Sequence, residues 1–216
     1  MLGRKYVNAH ARGHFATHHP ILTRRAPASG NTALAASALI QGVLGVEFTL
    51  AGLDKVADPM FVANFDAFVR ANPGAANGIL APIVQVAVLP HVAIAATLIK
   101  FAELLIGPTL LIGALEVARR RFSGRLGVQH GYETAVALIA SLAGLGAAGL
   151  TLSIFLLEGG VLPSIMPGRA FDTAIPVELL IVPLGIAIAW LEFGRFLALR
   201  RPVPIEVVTP IRGPYR

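Results

Sequence analysis

The sequence predicts an all-α fold: a bundle of four transmembrane helices with a long outer loop, amphipathic or re-entrant in character, between the first two. Three observations carry this. Four apolar stretches, 34–56, 91–115, 135–157 and 175–197, are each long enough to cross a hydrocarbon core about 30 Å thick at about 1.5 Å per residue. Hydrophobic residues make up 55% of the 216-residue chain and charged residues only 14%, against about 25% charged in a soluble domain. The basic residues are placed asymmetrically. Arg4, Lys5, Arg12, Arg24 and Arg25 precede the first span, Arg119, Arg120, Arg121 and Arg125 lie between the second and third, and Arg195, Arg200, Arg201, Arg212 and Arg216 end or follow the fourth. Only Lys55, Arg70 and Arg169 fall in the other two loops. By the positive-inside rule both termini and the middle loop are cytoplasmic, in a multi-pass protein of the cell (inner) membrane.

The formal net charge of +6 therefore reads as attraction to anionic lipid headgroups, not to nucleic acid. The chain has no cysteine, which removes disulfides, thiol chemistry, Cys-ligated zinc and Cys-ligated iron–sulfur clusters. Residues 1–33 are a basic N-terminal tail, 34–198 the membrane domain and 199–216 a Pro-rich C-terminal tail, with both tails expected to contact other membrane subunits. Thr23-Arg24-Arg25 ahead of an apolar run is similar to a twin-arginine signal, and the first span is read as an uncleaved anchor. In the tail, His10, His14 and His18 recur every fourth residue. They are a weak metal candidate, against a solvated or partner-binding tail.

The first span is rich in small residues, among them Gly42, Gly45 and Gly52, which allow close helix approach. It ends at Asp54-Lys55, and Pro59 blocks continuation. In the loop that follows, Phe61, Phe65 and Phe68 recur at helical spacing against Asn64, Asp66 and Arg70, predicting a short amphipathic helix. Asn72-Pro73-Gly74 is a turn. The segment 79–89 is apolar but too short to span, so it reads as interfacial or re-entrant, and the whole loop as a lid. The second span carries Lys100, Glu103 and an internal Pro108, where a kink is expected. The third carries no charge and looks structural. The fourth begins near Glu178, which suits a helix N-terminus, and ends with Trp190 as an interface anchor and Glu192 within reach of Arg195 at i+3.

Charges within lipid must be paired or face a cavity. Counting from Asp54 and from His91 as the outer helix ends puts Glu47 about 11 Å and Lys100 about 13 Å deep. A Glu47–Lys100–Glu103 cluster is the expected polar heart. It has two readings, a structural ion pair or a site that hydrogen-bonds and protonates a quinone headgroup, with Asp54 and Lys55 either solvated at the helix end or shaping the mouth. His91 and His130 sit at helix ends, so no pair of mid-span histidines offers bis-axial haem ligation.

Gly45-Val-Glu-Phe-Thr-Leu-Ala-Gly-Leu-Asp-Lys55 followed by Asp58-Pro59, Phe101-Ala-Glu-Leu-Leu-Ile-Gly107 continuing to Leu111-Ile-Gly113, and the closing Phe193-Gly-Arg-Phe196 resemble the DoxX/DoxD group of bacterial and archaeal membrane proteins. The resemblance covers about residues 34–198, with Glu47, Asp54, Lys55 and Glu103 at the shared positions. It implies a four-helix membrane bundle and a link to quinone chemistry, since the DoxD type forms the large integral part of a thiosulfate:quinone oxidoreductase. The long tails depart from that pattern and favour a subunit over an independent enzyme. The function expected is thus a DoxX-like membrane subunit of a quinone-linked respiratory or redox assembly that positions quinone or stabilises the complex. It would have no haem or iron–sulfur centre of its own. The alternatives are a non-catalytic scaffold and a small-solute or proton transporter; against transport, no inverted repeat is evident.

Overall fold

In the computed structural model, residues 28–122, 132–162 and 175–200 are described. The tails, including His10, His14 and His18, and His130 lie outside them. The described residues contain helices and no strand: α1 (Ala28–Ala57), α2 (Phe61–Ala71), α3 (Pro73–Asn77), α4 (Ala81–Ile83), α5 (Val92–Phe122), α6 (Glu133–Leu157) and α7 (Val177–Arg200). Four helical stretches are long and apolar enough to cross a membrane: Thr32–Ala57, Ala81–Arg119, Glu133–Leu157 and Val177–Arg200. The chain is a multi-pass membrane protein.

α1 packs chiefly on α5 and α6 on α7, and the two hairpins meet through α5–α6 and α1–α7. The inner stripe of α1 is Ser37, Gln41, Leu44 and Phe48, at the i, i+4, i+7, i+11 spacing of one helical face. Leu44 and Phe48 join Ile106, Leu110, Ala143, Ala147, Ile181 and Ile188 in the central core. The opposite faces present large apolar side chains: Leu39 is 71% exposed, Leu105 69% and Trp190 80%. Such a surface suits acyl chains and not water.

Lipid supplies no hydrophobic force between helices, so close backbone approach matters more here than in a soluble bundle. Gly144 of α6 and Gly185 of α7 face one another. A Cβ on Gly185 would lie 2.6 Å from the Gly144 carbonyl oxygen, and one on Gly144 2.7 Å from that of Gly185. Between α1 and α5, a Cβ on Gly107 would collide with the Thr49 backbone, while Gly45 abuts Leu111 and Gly52 abuts Leu104. These three contacts fix an antiparallel register in which each α1 position has a defined level on α5.

The loop after α1 forms a helical cap at one end of the bundle, here termed the lid end; the other end is the base. Asp58 starts the cap: its carboxylate accepts from the Met60 N–H (2.8 Å) and from Asn64 Nδ2 (3.0 Å). α2 stops at Asn72, where Pro73 opens α3. Val69, Ala75 and Val84 bury themselves against Leu157 at the end of α6, with Phe65 and Leu89 alongside. α6 ends in Gly159 (φ 112°) and Gly160 (φ 64°), left-handed positions that glycine adopts without strain. The amphipathic α2 expected from the Phe61–Phe65–Phe68 spacing is present. The segment 79–89 is not a separate re-entrant element. It runs as α4, a π-helical turn (Val84–Val88) and a 3₁₀ turn (Leu89–His91) directly into α5. Pro90 lacks an N–H, so the hydrogen-bond pattern shifts there without ending the helix. Pro108 likewise lies inside the single helix α5, and Pro183 inside α7.

Candidate functional site

The α1–α5 register decides the fate of the expected polar heart. With Gly45, Thr49 and Gly52 opposite Leu111, Gly107 and Leu104, Lys100 lies level with Val56, at the end of α1. Glu47 lies level with Thr109, about 13 Å further from the lid. Glu47, Lys100 and Glu103 therefore do not meet as one cluster, although the Glu47 charge still acts on Glu103 through space. The sequence arithmetic failed because it treated His91 as the partner of the α1 end, whereas α5 projects well past α1 to support the cap.

Glu103 meets Lys55 instead. Lys55 Nζ is 2.8 Å from Glu103 Oε2, the carboxylate side chain being 5% and the lysine 26% exposed. The contact is an ion pair off the line of a good hydrogen bond, and Lys55 also reaches the Ala51 carbonyl at 3.4 Å. Lys100, half-buried, lies 5.3 Å over the centre of the Phe61 ring, tying α5 to α2 by a cation–π contact. Asp54 is exposed at the helix end. Glu47 is exposed, facing away from the core.

A richer polar cluster occupies the base. Arg195 of α7 donates through Nη1 to Glu192 Oε2 at 3.1 Å and pairs through Nη2 with Glu116 Oε2 of α5. Gln41 of α1 donates through Nε2 to Glu192 Oε1 and to Ser37 Oγ, both at 2.8 Å, and Ser37 Oγ donates to the same carboxylate oxygen at 3.2 Å. Glu192, Gln41 and Ser37 have no exposed surface at all. The carboxylate dictates the Gln41 amide orientation, because turning it would set two acceptors against each other. Its Oε1 then lies over Gly113 with no hydrogen-bond donor. A side chain at 113 would displace it. Glu133, 1% exposed in the first turn of α6, lies at the same end, as does Arg119, which contacts the Tyr132 hydroxyl.

The Glu192–Arg195 pair was legible as an i+3 spacing. The rest of the cluster was missed: Glu116 lies one residue beyond the assumed end of the second span, and Ser37 and Gln41 carry no charge. Their signal was available, since all four α1 residues of the inner stripe share one face and two of them are polar. Glu178 stands in the first turn of α7. It faces Glu158 at the end of α6, whose carboxyl is pushed above its ordinary range by partial burial and by the nearby Glu178 charge.

Chemically, the buried acids Glu103, Glu116 and Glu192 pair with Lys55 and Arg195, and these contacts join α1 to α5 and α5 to α7 or reinforce the latter joint. Among the described residues no group of three or more His, Asp or Glu side chains is placed to hold a metal ion. An open groove of about 490 Å³ runs along the outer face of α1, lined among the described residues by Ala38, Leu39, Gly42, Val43, Val46 and Glu47. Comparison with protein-family profiles, with curated proteins and with solved structures finds no match.

Proposed function

We propose that this chain is a non-catalytic membrane subunit that stabilises a larger assembly in the cell membrane, with its termini on the cytoplasmic side. The observation that carries the reading is the use of the buried charges. Glu103 is taken up by Lys55, and Glu192 and Glu116 by Arg195, so the groups a quinone headgroup would need are engaged in joining helices. The groove holds Glu47 but neither Lys100 nor Glu103 in its lining. The link to quinone-dependent redox chemistry rests on the DoxX-like motifs alone, and in this reading a partner carries the electron-transfer centres and the quinone.

The test is a pair of substitutions in the full chain. Glu103→Gln and Lys55→Met are made singly and together, and two quantities are followed: co-purification of other subunits in mild detergent, and quinone-dependent turnover of whatever assembly is recovered. Each single change is expected to weaken the bundle and the assembly together, and the double change to recover part of both. Loss of turnover on Glu103→Gln with the bundle and the assembly intact would instead make Glu103 a reacting group and overturn the accessory role.

A further inference from the structure

Glu47 lies deep within a span, and the described fold leaves it without a partner. It lies on α1 ten residues from Ala57 and fifteen from Thr32, the ends of that span, hence about 15 Å and 22 Å from them and inside the hydrocarbon layer. No hydrogen bond or ion pair reaches it among the described residues, and it is exposed. It also stands at one edge of the groove formed by Ala38, Gly42 and Val46, with Leu39 and Val43 beside them. That face lies opposite the buried stripe of Ser37, Gln41, Leu44 and Phe48. A carboxylate held at this depth costs on the order of 2.5 kcal/mol or more unless it meets a donor. Among the described residues no cation is free at this level: Lys55 is engaged by Glu103, Arg195 by Glu116 and Glu192, and Lys100 sits over Phe61 nine residues nearer the lid end.

We propose that the outer face of α1 docks a transmembrane helix of another protein that carries a lysine, arginine or protonated histidine at the level of Glu47. Charge complementarity selects this occupant over a second copy of the chain. Two copies in the same membrane orientation, related by a two-fold axis along the membrane normal, would bring Glu47 against Glu47. Small residues at 38 and 42 let a foreign helix approach closely, and the exposed carboxylate sets its register and its chemistry. The inference rests on the reading of the chain as a subunit and names where that contact lies. Failure here would leave a subunit that docks elsewhere.

The probe is a synthetic 21-residue leucine/alanine transmembrane peptide with a single central lysine, compared with the same peptide bearing leucine there. Each is reconstituted with the purified full chain in phosphatidylcholine vesicles. Because the native chain has no cysteine, a dye on Val161→Cys reports peptide association by energy transfer. Labelling of Glu47 by dicyclohexylcarbodiimide, read by mass spectrometry, reports whether the carboxyl is covered. The lysine peptide is expected to associate about tenfold more tightly than the leucine peptide and to protect Glu47. Glu47→Gln is expected to abolish the preference. Gly42→Leu is a second variant: its Cβ has room, the nearest atom being the Ala114 Cβ at 4.0 Å, and its unfolding midpoint is matched against the wild type before its binding is read. It is expected to block association while leaving the carboxylate in place. Equal binding of the two peptides, or a lysine preference that survives Glu47→Gln, overturns the proposal. Protection of Glu47 without peptide, together with energy transfer between copies, also overturns it, in favour of a dimer.

Discussion

Replacing Arg195 by methionine is the sharpest test of what holds this bundle together. The side chain is only 10% exposed and serves carboxylates on two helices, Glu192 on its own α7 and Glu116 on α5. Methionine keeps most of the aliphatic volume and removes the cation. Glu192 retains Gln41 Nε2 at 2.8 Å and Ser37 Oγ at 3.2 Å as donors but loses its positive charge in a site with no exposed surface. Breaking a buried pair from one side costs about 3–5 kcal/mol, because the remaining charge is left uncompensated. An ordinary hydrogen bond between membrane helices averages only about 0.6 kcal/mol, so the two scales separate. The assay is reversible unfolding in mixed micelles by sodium dodecyl sulfate titration, read by circular dichroism, for the wild type, Arg195→Met, Glu192→Gln and the double variant. Arg195→Met is expected to lose about 3 kcal/mol or more. Glu192→Gln is expected to lose less, since its amide oxygen still accepts from Gln41. The double variant should be at least about 1 kcal/mol more stable than the two single losses predict, as residues in one network are non-additive. A loss below about 1 kcal/mol for Arg195→Met, or strict additivity, would show that the cluster is not a coupled network and refute the reasoning.

Gly185→Ala places a Cβ 2.6 Å from the Gly144 carbonyl oxygen and 2.9 Å from the Ala148 nitrogen, so it is expected to destabilise by about 1–3 kcal/mol through overpacking. Gly149→Ala, with nothing within 4 Å of the new atom, is its control and should be neutral or slightly stabilising in the same titration. Glu158→Gln tests the like-charge contact at the lid end. The folded carboxyl titrates above its ordinary value of 4.5, so its favourable contribution is complete below about pH 4.5 and is lost as pH rises through the raised value. The variant is therefore expected to match the wild type at pH 4 and exceed it slightly at pH 8; equal pH profiles would show that neither burial nor the Glu178 charge raises the Glu158 carboxyl.

The four spans were legible because length and hydropathy alone decide what crosses a bilayer, and the phenylalanine spacing of α2 and the Glu192–Arg195 step were legible because both are local. Register was not. The offset between α1 and α5 comes from Gly45, Thr49 and Gly52 meeting Leu111, Gly107 and Leu104, and no count from helix ends contains that information when one helix continues into a cap. Hence the count from helix ends pairs Glu103 with Lys100, whereas the structure pairs it with Lys55. The base cluster was hidden for a different reason. Its members come from three chain-distant helices, α1, α5 and α7, and Ser37 and Gln41 of α1 matter through hydrogen bonding to a carboxylate contributed by α7, a relation that appears only once α1 and α7 are adjacent.

The placement of these contacts has a mechanical logic. Within each hairpin the helices are joined by backbone approach: Gly144 against Gly185 in α6–α7, Gly107 against Thr49 in α1–α5, with Lys55–Glu103 fixing the lid end of the latter. Between the hairpins the apolar core fills space, but lipid would solvate the same leucines and alanines almost as well, so packing alone gives little reason for one hairpin arrangement over another. The base cluster supplies that reason. Glu192 and Arg195 come from one hairpin, and Ser37, Gln41 and Glu116 from the other. Their hydrogen bonds cannot be replaced by acyl chains, so a misregistered pair of hairpins would leave Glu192 and Arg195 without their cross-helix partners. The buried charges of the base cluster, Glu116, Glu192 and Arg195, thus act as determinants of which hairpin face meets which. That leaves the outer face of α1, with its unmatched Glu47, as the surface on which the same device would select a partner from outside.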